Sequence, residues 1–164
     1  DLGSGTGAAF DQLLNYETTA IDPDKKMLKL NTFENKVIGS AENLPFEDNS
    51  FDNVFCCFVW RNISDTNKAL QEVYRVLRPG GKFILLDMTR PKNPFLKMLH
   101  KIGTFKALHL IGLVTFNLKE YRFLYKSLDF YPQPENHLKK DTFIDLQIER
   151  MGLFDFVYLA VFTK

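Results

Sequence analysis

The chain has 164 residues, of which 45% are hydrophobic, and carries a formal net charge of +1 from 21 basic and 20 acidic side chains. This length and composition predict a single domain, residues 1–164, with one sizeable core. The balanced charge argues against a general nucleic-acid-binding protein, which would be strongly basic, so no nucleic-acid partner is expected.

Cysteine content and hydropathy indicate the cellular compartment in which the protein is expected. The two cysteines, Cys56 and Cys57, are neighbours in an apolar run, where successive side chains of a strand point to opposite faces. A disulfide framework is therefore excluded. The longest charge-free apolar stretch is the 12-residue segment 107–118, which is too short to span a bilayer. These features predict a soluble, cytoplasmic protein.

Apolar runs and breakers alternate through the first ninety residues. The predicted helices are residues 8–14, residues 25–30 and a segment that is capped by Ser64 or Asp65 and ended by Pro79-Gly80-Gly81. The predicted strands are residues 18–22, 36–39, 51–60 and 82–88. This order is typical of an α/β protein whose mostly parallel sheet is covered on both faces.

The alternation breaks beyond Pro91. Residues 93–118 are cationic and apolar, residues 119–129 are predicted to be helical, and residues 141–151 are predicted to form a helix with Gly152 at its C-terminal end. Between residues 90 and 126 there are eight basic side chains and one acidic one, Glu120, whereas residues 1–89 carry nine basic and thirteen acidic ones. The basic middle segment therefore needs a functional explanation.

The chain opens with DLGSGTG, a glycine-rich turn of the kind that brings backbone close to a ligand. A triphosphate-binding loop is excluded, because Ala8-Ala9-Phe10 stands where the motif needs lysine and a hydroxyl residue. A dinucleotide fingerprint can be matched to Gly3, Gly5 and Ala8, with Asp22 as the ribose acid. A turn without a ligand also stays open. Such a turn normally follows a buried strand, so the first strand is expected to be truncated.

Four stretches in order carry a more specific signal: DLGSGTG, AIDPDKKML, GSAENLPFEDNSFDNVFC and LQEVYRVLRPGGKFILLDMTRP. Together they resemble the class I S-adenosylmethionine-dependent methyltransferases. LPFEDNSFD, WRNISDTNKAL, YRVLRPGGKFILLDMTRP and YRFLYKSLDFYPQPENHLKK resemble, more narrowly, the ubiquinone/menaquinone C-methyltransferase family. The resemblance implies a three-layer, Rossmann-like α/β fold with a mostly parallel sheet and an antiparallel C-terminal strand. Residues 153–164 look shorter than the usual terminal pair of strands.

The resemblance implies S-adenosylmethionine as cofactor, and each part of that molecule needs a different partner. An acid attracts the ammonium, glycine backbone approaches the methionine and ribose portions, an acid at a strand end accepts from the ribose diol, and the third strand end meets adenine. The implied cofactor-binding residues are Asp1, Gly3, Ser4, Gly5, Asp22, Ser40, Ala41, Glu42 and Phe58. An ordinary capping role stays open for Asp22.

Arg61 and Asn62 match the family's Arg-Asn pair on the substrate side of the pocket, so both are candidate catalytic residues. A salt bridge is the alternative for Arg61. Trp60 either narrows the pocket or packs in the core. No grouping of His, Cys and Asp has ligand spacing, so no metal is expected.

The expected activity is methylation of a ring carbon of a prenylated, demethylmenaquinol-like quinol in menaquinone or ubiquinone biosynthesis. Methylation of another small acceptor, an NAD-dependent oxidoreductase and a cofactor-binding module without catalysis are the alternatives. Residues 90–130 are predicted to form an inserted helical cap. Their mixture of lysines with Leu, Ile and Phe suits a lipophilic substrate tail or a peripheral contact with an anionic membrane, and equally an ordinary cap or a homodimer contact.

Overall fold

The computed structural model describes residues 1–138 and 142–164, which divide into two compact units. The first comprises Asp1–Leu86, residues 142–147 and Ala160–Lys164, and the second comprises residues 87–138 and Ile148–Leu159. The helices are α1 (Phe10–Leu13), α2 (Lys25–Leu30), α3 (Thr66–Val76), α4 (Pro94–Val114), α5 (Leu118–Phe130) and α6 (Pro134–His137). The strands are β1 (Thr19–Asp22), β2 (Asn35–Ile38), β3 (Phe51–Cys57), β4 (Leu77–Met88), β5 (Asp145–Met151) and β6 (Val157–Thr163).

The first unit is built on a mostly parallel sheet. β1 pairs in parallel with β2, and β3 pairs in parallel with β4. Leu2 lies between these two pairs and forms parallel bridges with Ile21 of β1 and Cys56 of β3. Its amide donates to the Phe55 carbonyl at 2.8 Å. The opening residues therefore occupy the position of a central strand, and the predicted parallel α/β arrangement is confirmed.

The C-terminal strand reverses the direction of the sheet. In the first unit the Gly80 amide donates to the Lys164 carbonyl at 2.7 Å, and in the second unit the Thr89 amide donates to the Phe156 carbonyl at 2.7 Å. Residue numbers thus rise along β4 while they fall along β6, so the two strands are antiparallel. The strand order is β3-β4-β6-β5, as expected for an antiparallel C-terminal strand.

Helix α3 begins where the sequence predicts but ends at Val76, and Pro79-Gly80-Gly81 lies inside β4 and not at the end of the helix. Asp65 is its N-cap, with the carboxylate accepting from the Lys68 amide at 3.0 Å. Ala69, Val73 and Val76 are buried on one face, as the amphipathic pattern indicates. The helix ends before the Pro79-Gly80-Gly81 sequence. Burial of this face stabilises α3 within the first unit, because burying each large apolar side chain contributes about 1.5–3 kcal/mol.

The strand predicted at residues 51–60 ends earlier, at Cys57. Phe58 then takes a positive φ of 59°, and Trp60–Asn62 forms a short 3₁₀ turn. Trp60 is 1% exposed and lies 5.3 Å from the Phe83 ring, centroid to centroid. Of its two predicted roles, the structure therefore assigns Trp60 to packing in the core.

The predicted helix at residues 141–151 is wrong. Asp141 lies outside the described residues, and Asp145–Met151 is strand β5. Leu146 and Ile148 are less exposed than their polar neighbours, so burial alternates with the period of two that a strand requires. Gly152, which the sequence places at the C-terminal end of this helix, has a φ of 81° and begins the turn into β6 instead. Residues 157–163 are therefore one strand of a terminal pair, and β5 supplies the other.

The second unit contains a helical hairpin, α4 and α5, which confirms the predicted helix at residues 119–129. Gly112 lets the two helices approach, because a Cβ there would lie 3.1 Å from Leu118 Cδ2. Arg90 is 2% exposed and donates to the Asp129 carboxylate at 2.9 Å and to the Thr104 hydroxyl at 2.8 Å. A buried guanidinium needs this pairing, so Arg90 ties the start of the hairpin to its end.

Candidate functional site

A cavity of about 410 Å³ opens in the first unit, at the carboxyl ends of the parallel strands. This volume is in the range of small-molecule sites, and open α/β sheets bind their ligands at this edge. The wall is formed by the start of the glycine turn, the end of β1, the segment after β2 and the turn after β3. Its residues are Leu2, Gly3, Asp22, Pro23, Gly39, Ser40, Ala41, Glu42, Val59, Asn62, Ile63 and Ser64.

Gly3 cannot carry a side chain. Its φ is 71°, and a Cβ there would lie 2.5 Å from Cγ1 of Val59. Positive φ also holds at Gly5 and Gly7, so the whole turn uses the conformational freedom of glycine. Gly3 borders the cavity, and only glycine lets the backbone pack directly against Val59 at this point.

Asp22 is oriented by two backbone amides. Its Oδ2 accepts from the Gly5 amide at 3.0 Å, and its Oδ1 accepts from the Asp24 amide at 2.8 Å. Each carboxylate oxygen has a second lone pair, so the group can still accept two hydrogen bonds from a ligand diol. The sequence predicts the acceptor, and the structure adds the two bonds that hold it at the end of β1.

Asn31 is a residue that the sequence analysis missed. It is 5% exposed, and its Nδ2 donates to the Ser4 hydroxyl at 3.2 Å and to the Gly5 carbonyl at 3.0 Å. Its Oδ1 accepts from the Phe33 amide at 2.9 Å, and a Cβ on Gly7 would lie 2.9 Å from that same oxygen. Asn31 therefore holds the glycine turn in place through its hydrogen bonds to Ser4 and Gly5. The one available signal was an asparagine at the C-terminal end of a short predicted helix.

Glu42 makes a structural contact at the rim. Its Oε1 accepts from the Ser64 amide at 3.2 Å, just before α3 begins. The loop that follows is held by Glu72, which accepts from the Leu44 amide at 2.8 Å, and by Arg75, which donates to the Leu44 carbonyl at 3.0 Å. Arg75 also holds the pKa of Glu72 below its ordinary value. The segment from Ser40 to Glu42 is thus anchored at its C-terminal end.

The turn after β3 brings Asn62 to the cavity. Asn62 lies in its wall, whereas Arg61 donates through NH1 to the Phe58 carbonyl at 3.1 Å. Phe58 is 41% exposed and adopts a left-handed conformation that a bulky residue rarely takes. Arg61 therefore stabilises the strained bend that carries Asn62.

The structure brings together six of the eleven predicted site residues: Gly3, Asp22, Ser40, Ala41, Glu42 and Asn62. Asp1, Ser4, Gly5, Phe58 and Arg61 are adjacent in sequence to wall residues or bonded to them, but they do not form the wall. Leu2, Pro23, Gly39, Val59, Ile63 and Ser64 are additional wall residues. These residues lie next to predicted positions in the sequence. They were not predicted because the motifs are recognised by their glycine and polar residues.

Within residues 1–138 and 142–164, no group of three or more His, Cys, Asp or Glu side chains could hold a metal ion. None of the helices in this part of the chain combines the length and the apolar character needed to cross a membrane.

Comparison with known sequences points to one family. The model of the ubiE/COQ5 methyltransferase family matches residues 14–152. The ubiquinone/menaquinone biosynthesis C-methyltransferase UbiE of Rickettsia bellii (strain OSU 85-389) is 38% identical over 154 residues, which covers 82% of this chain and 62% of that protein. The same enzyme of Rickettsia akari (strain Hartford) is 37% identical over the same shares. The chain therefore spans less than two thirds of the length of these curated relatives.

Solved structures support the fold. A SAM-dependent methyltransferase from Thermotoga maritima superposes with a TM-score of 0.67 at 21% identity, covering 99% of this chain and 80% of that one. A SAM-dependent methyltransferase from Aquifex aeolicus gives a TM-score of 0.59 at 16% identity, covering 99% of this chain and 79% of that one. At these identities the likeness establishes a Rossmann-like methyltransferase fold.

Proposed function

The chain belongs to the ubiE/COQ5 methyltransferase family, and from this premise we propose that it methylates a ring carbon of a prenylated, demethylmenaquinol-like quinol. The observation that carries the proposal is the cavity in which an oriented carboxylate, Asp22, stands beside a glycine turn that borders the cavity at Gly3. The named activity of the Rickettsia relatives supports the acceptor class.

The residues present fit S-adenosylmethionine. The cavity is large enough for a small molecule, and Gly3 brings backbone to its wall without a side chain. Asp22 would hold the ribose hydroxyls, the backbone of residues 3–5 would meet the methionine portion, and Ser40, Ala41 and Glu42 would border the adenine. Asp1 and Phe58 complete the proposed cofactor contacts. When bound, this cofactor supplies an electrophilic methyl group on a sulfonium.

The chain's own contribution is positioning and charge stabilisation. Transfer to an aromatic carbon needs contact between the two reactants and exclusion of water, which a preformed pocket provides. The ring carbon becomes nucleophilic when a neighbouring hydroxyl loses its proton. We assign Asn62 to orienting that hydroxyl or its water and Arg61 to stabilising the negative charge that develops there. The Arg61 bond to Phe58 keeps the bend in place.

In addition to the quinol substrate, we propose a peripheral contact between an anionic membrane and the helical hairpin of the second unit. Phe116 at its tip is 97% exposed, and Val114 is 71% exposed. The sequence from Arg90 to Lys119 contains no Asp or Glu, while Lys97 and Lys106 are exposed on α4. Basic and apolar side chains on one helix favour binding at an anionic lipid interface. A cytoplasmic location and a homodimer are compatible with this proposal.

The membrane contact is tested by co-sedimentation with vesicles that contain phosphatidylglycerol and with vesicles of phosphatidylcholine alone. Phe116→Asn should lower binding to the anionic vesicles, while Leu30→Asn, which changes a 71% exposed leucine on α2, should not. Equal binding of the two variants, or binding that ignores the lipid charge, would remove this part of the proposal.

The cofactor assignment is tested by calorimetry of S-adenosylmethionine with the chain and with Asp22→Ala, using NAD as the control ligand. We expect binding that needs Asp22 and no comparable binding of NAD. Methyl transfer is then followed by mass spectrometry of demethylmenaquinol incubated with methyl-labelled S-adenosylmethionine. A folded chain that binds NAD in preference, or a bound cofactor that never labels the quinol, would contradict the proposal.

A further inference from the structure

The second unit contains a groove between α4 and α5. Its volume is about 160 Å³, and the surface facing it is almost entirely apolar. Phe105 and Leu108 of α4 form one wall, and Leu118, Tyr121 and Tyr125 of α5 form the other. A cavity of about 150 Å³ with such a lining binds a benzene-sized apolar group. The groove therefore has the size and the surface for a short hydrocarbon segment.

The rim of the groove is cationic. Arg122 and Lys126, one turn apart on α5, are exposed and border it. His109 also borders it and stacks on Phe105 with a centroid distance of 5.5 Å. None of the described residues that line the groove carries a carboxylate. A ligand whose apolar chain enters the groove would thus place its polar end against two positive charges.

The walls are held in place from inside the unit. The Tyr125 ring lies under the buried Arg90 guanidinium, 4.9 Å from the carbon that joins its nitrogens, and its edge meets the Phe105 ring at 5.6 Å. At the other end, Gly112 allows Leu118 and Tyr121 to pack directly on α4. The groove is therefore preformed, which lowers the ordering cost of binding.

From the apolar walls and the cationic rim we propose that this groove binds a single-chain anionic amphiphile, a fatty-acid carboxylate, with the end of its chain between α4 and α5 and its carboxylate between Arg122 and Lys126. The charge complementarity selects the anion over a neutral or cationic amphiphile of equal chain length. The groove shares no lining residue with the cavity proposed for methyl transfer, and the proposal does not depend on that activity.

The test uses decanoate as the probe and decyltrimethylammonium as a ligand with the same chain and the opposite charge. Amide chemical shifts of the isotopically labelled chain locate binding, and calorimetry measures affinity. We expect decanoate to shift signals of residues 105–126 and to bind roughly tenfold more tightly than the cation, since two partly exposed ion pairs contribute together.

Variants separate the two parts of the site. Arg122→Gln with Lys126→Gln should weaken decanoate binding roughly tenfold, whereas Lys106→Gln with Lys119→Gln, which removes two exposed charges beside the groove, should not. Leu108→Phe fills the groove and should abolish the shifts. Equal affinity of the two amphiphiles, equal loss in both double variants, or no binding by the unmodified chain would overturn the proposal. Methyl transfer measured on the same samples is a separate readout, so either proposal can fail alone.

Discussion

Asp22 and Asn31 hold opposite sides of one residue in the glycine turn. The Asp22 carboxylate accepts from the Gly5 amide at 3.0 Å, and the Asn31 amide group donates to the Gly5 carbonyl at 3.0 Å. Asp22 ends β1 and Asn31 follows α2, so the turn is tied to two successive elements. The backbone that borders the cavity is therefore ordered before a ligand binds.

Replacing Asn31 with Ala should weaken both the fold and cofactor binding. The variant leaves the buried Phe33 amide and the Gly5 carbonyl without their partner, and each unsatisfied buried group costs about 1–3 kcal/mol. The turn must then be ordered by the ligand, so we expect affinity for S-adenosylmethionine to fall roughly tenfold. Urea unfolding and calorimetry measure the two effects. Asn35→Ala, at an exposed position on β2, is the matched control, and equal affinity of the two folded variants would contradict the role of Asn31.

Gly3 and Gly5 provide a comparison of backbone strain with steric collision. Both have positive φ, but a Cβ on Gly5 meets nothing within 4 Å, whereas one on Gly3 lies 2.5 Å from Val59. Gly5→Ala should lower the free energy of unfolding by about 1–2 kcal/mol, the cost of the left-handed conformation alone. Gly3→Ala should cost clearly more in the same urea titration.

The collision at Gly3 has its own control. Val59→Ala removes the two methyl carbons at 2.5 and 2.7 Å and leaves the Cβ at 2.9 Å, so it should restore part of the stability that Gly3→Ala loses. A double-mutant cycle measures this coupling. Additive losses, or equal costs of the Gly3 and Gly5 variants, would show that Val59 does not set the requirement for glycine.

The sequence was sufficient for features that depend on local pattern. The spacing of a turn and the acid at the next strand end predict Gly3 and Asp22, which lie in the cavity wall, and Asp65 is predicted as a helix cap. Asn31 was not, because its role arises from contact with Ser4, 27 positions away. Asp145–Met151 was misread because its polar residues suit an exposed helix as well as an edge strand, and only its pairing with β6 decides between them. The buried Arg90 stands in a basic segment, where sequence gives no sign of burial.

Arg61→Ala should reduce turnover and leave cofactor affinity unchanged. Arg61 is not in the cavity wall, and its bond to the Phe58 carbonyl supports the bend that carries Asn62. Without that bond Asn62 is displaced from the acceptor hydroxyl, and a displacement of about 1 Å lowers turnover by on the order of 100-fold. Initial rates of quinol methylation test this, with Arg78→Ala, at an exposed arginine paired with Asp52, as the control. Turnover equal to that of the control variant would contradict the proposed role of Arg61.

The buried His100 should make the stability of the second unit depend on pH. Burial and the adjacent Arg90 guanidinium, 3.2 Å from Nδ1, lower the pKa of His100 below its ordinary 6.5, while Asp129, which pairs with Arg90 and Lys101, opposes the shift. His100 therefore binds a proton near pH 6.5 in the unfolded chain, whereas in the folded chain it binds one only at lower pH. The free energy of unfolding should stay constant above that value and fall as the pH drops below it.

His100→Gln tests this dependence, because the glutamine carbonyl can accept from Arg90 but does not titrate. Urea unfolding at a series of pH values should give a shallower decline below pH about 6.5 than the unmodified chain. Some decline should persist, since burial also lowers the pKa of His137. If the variant declines as steeply as the unmodified chain, the fold does not resist protonation at His100, and the Arg90 network must tolerate a second cation beside it.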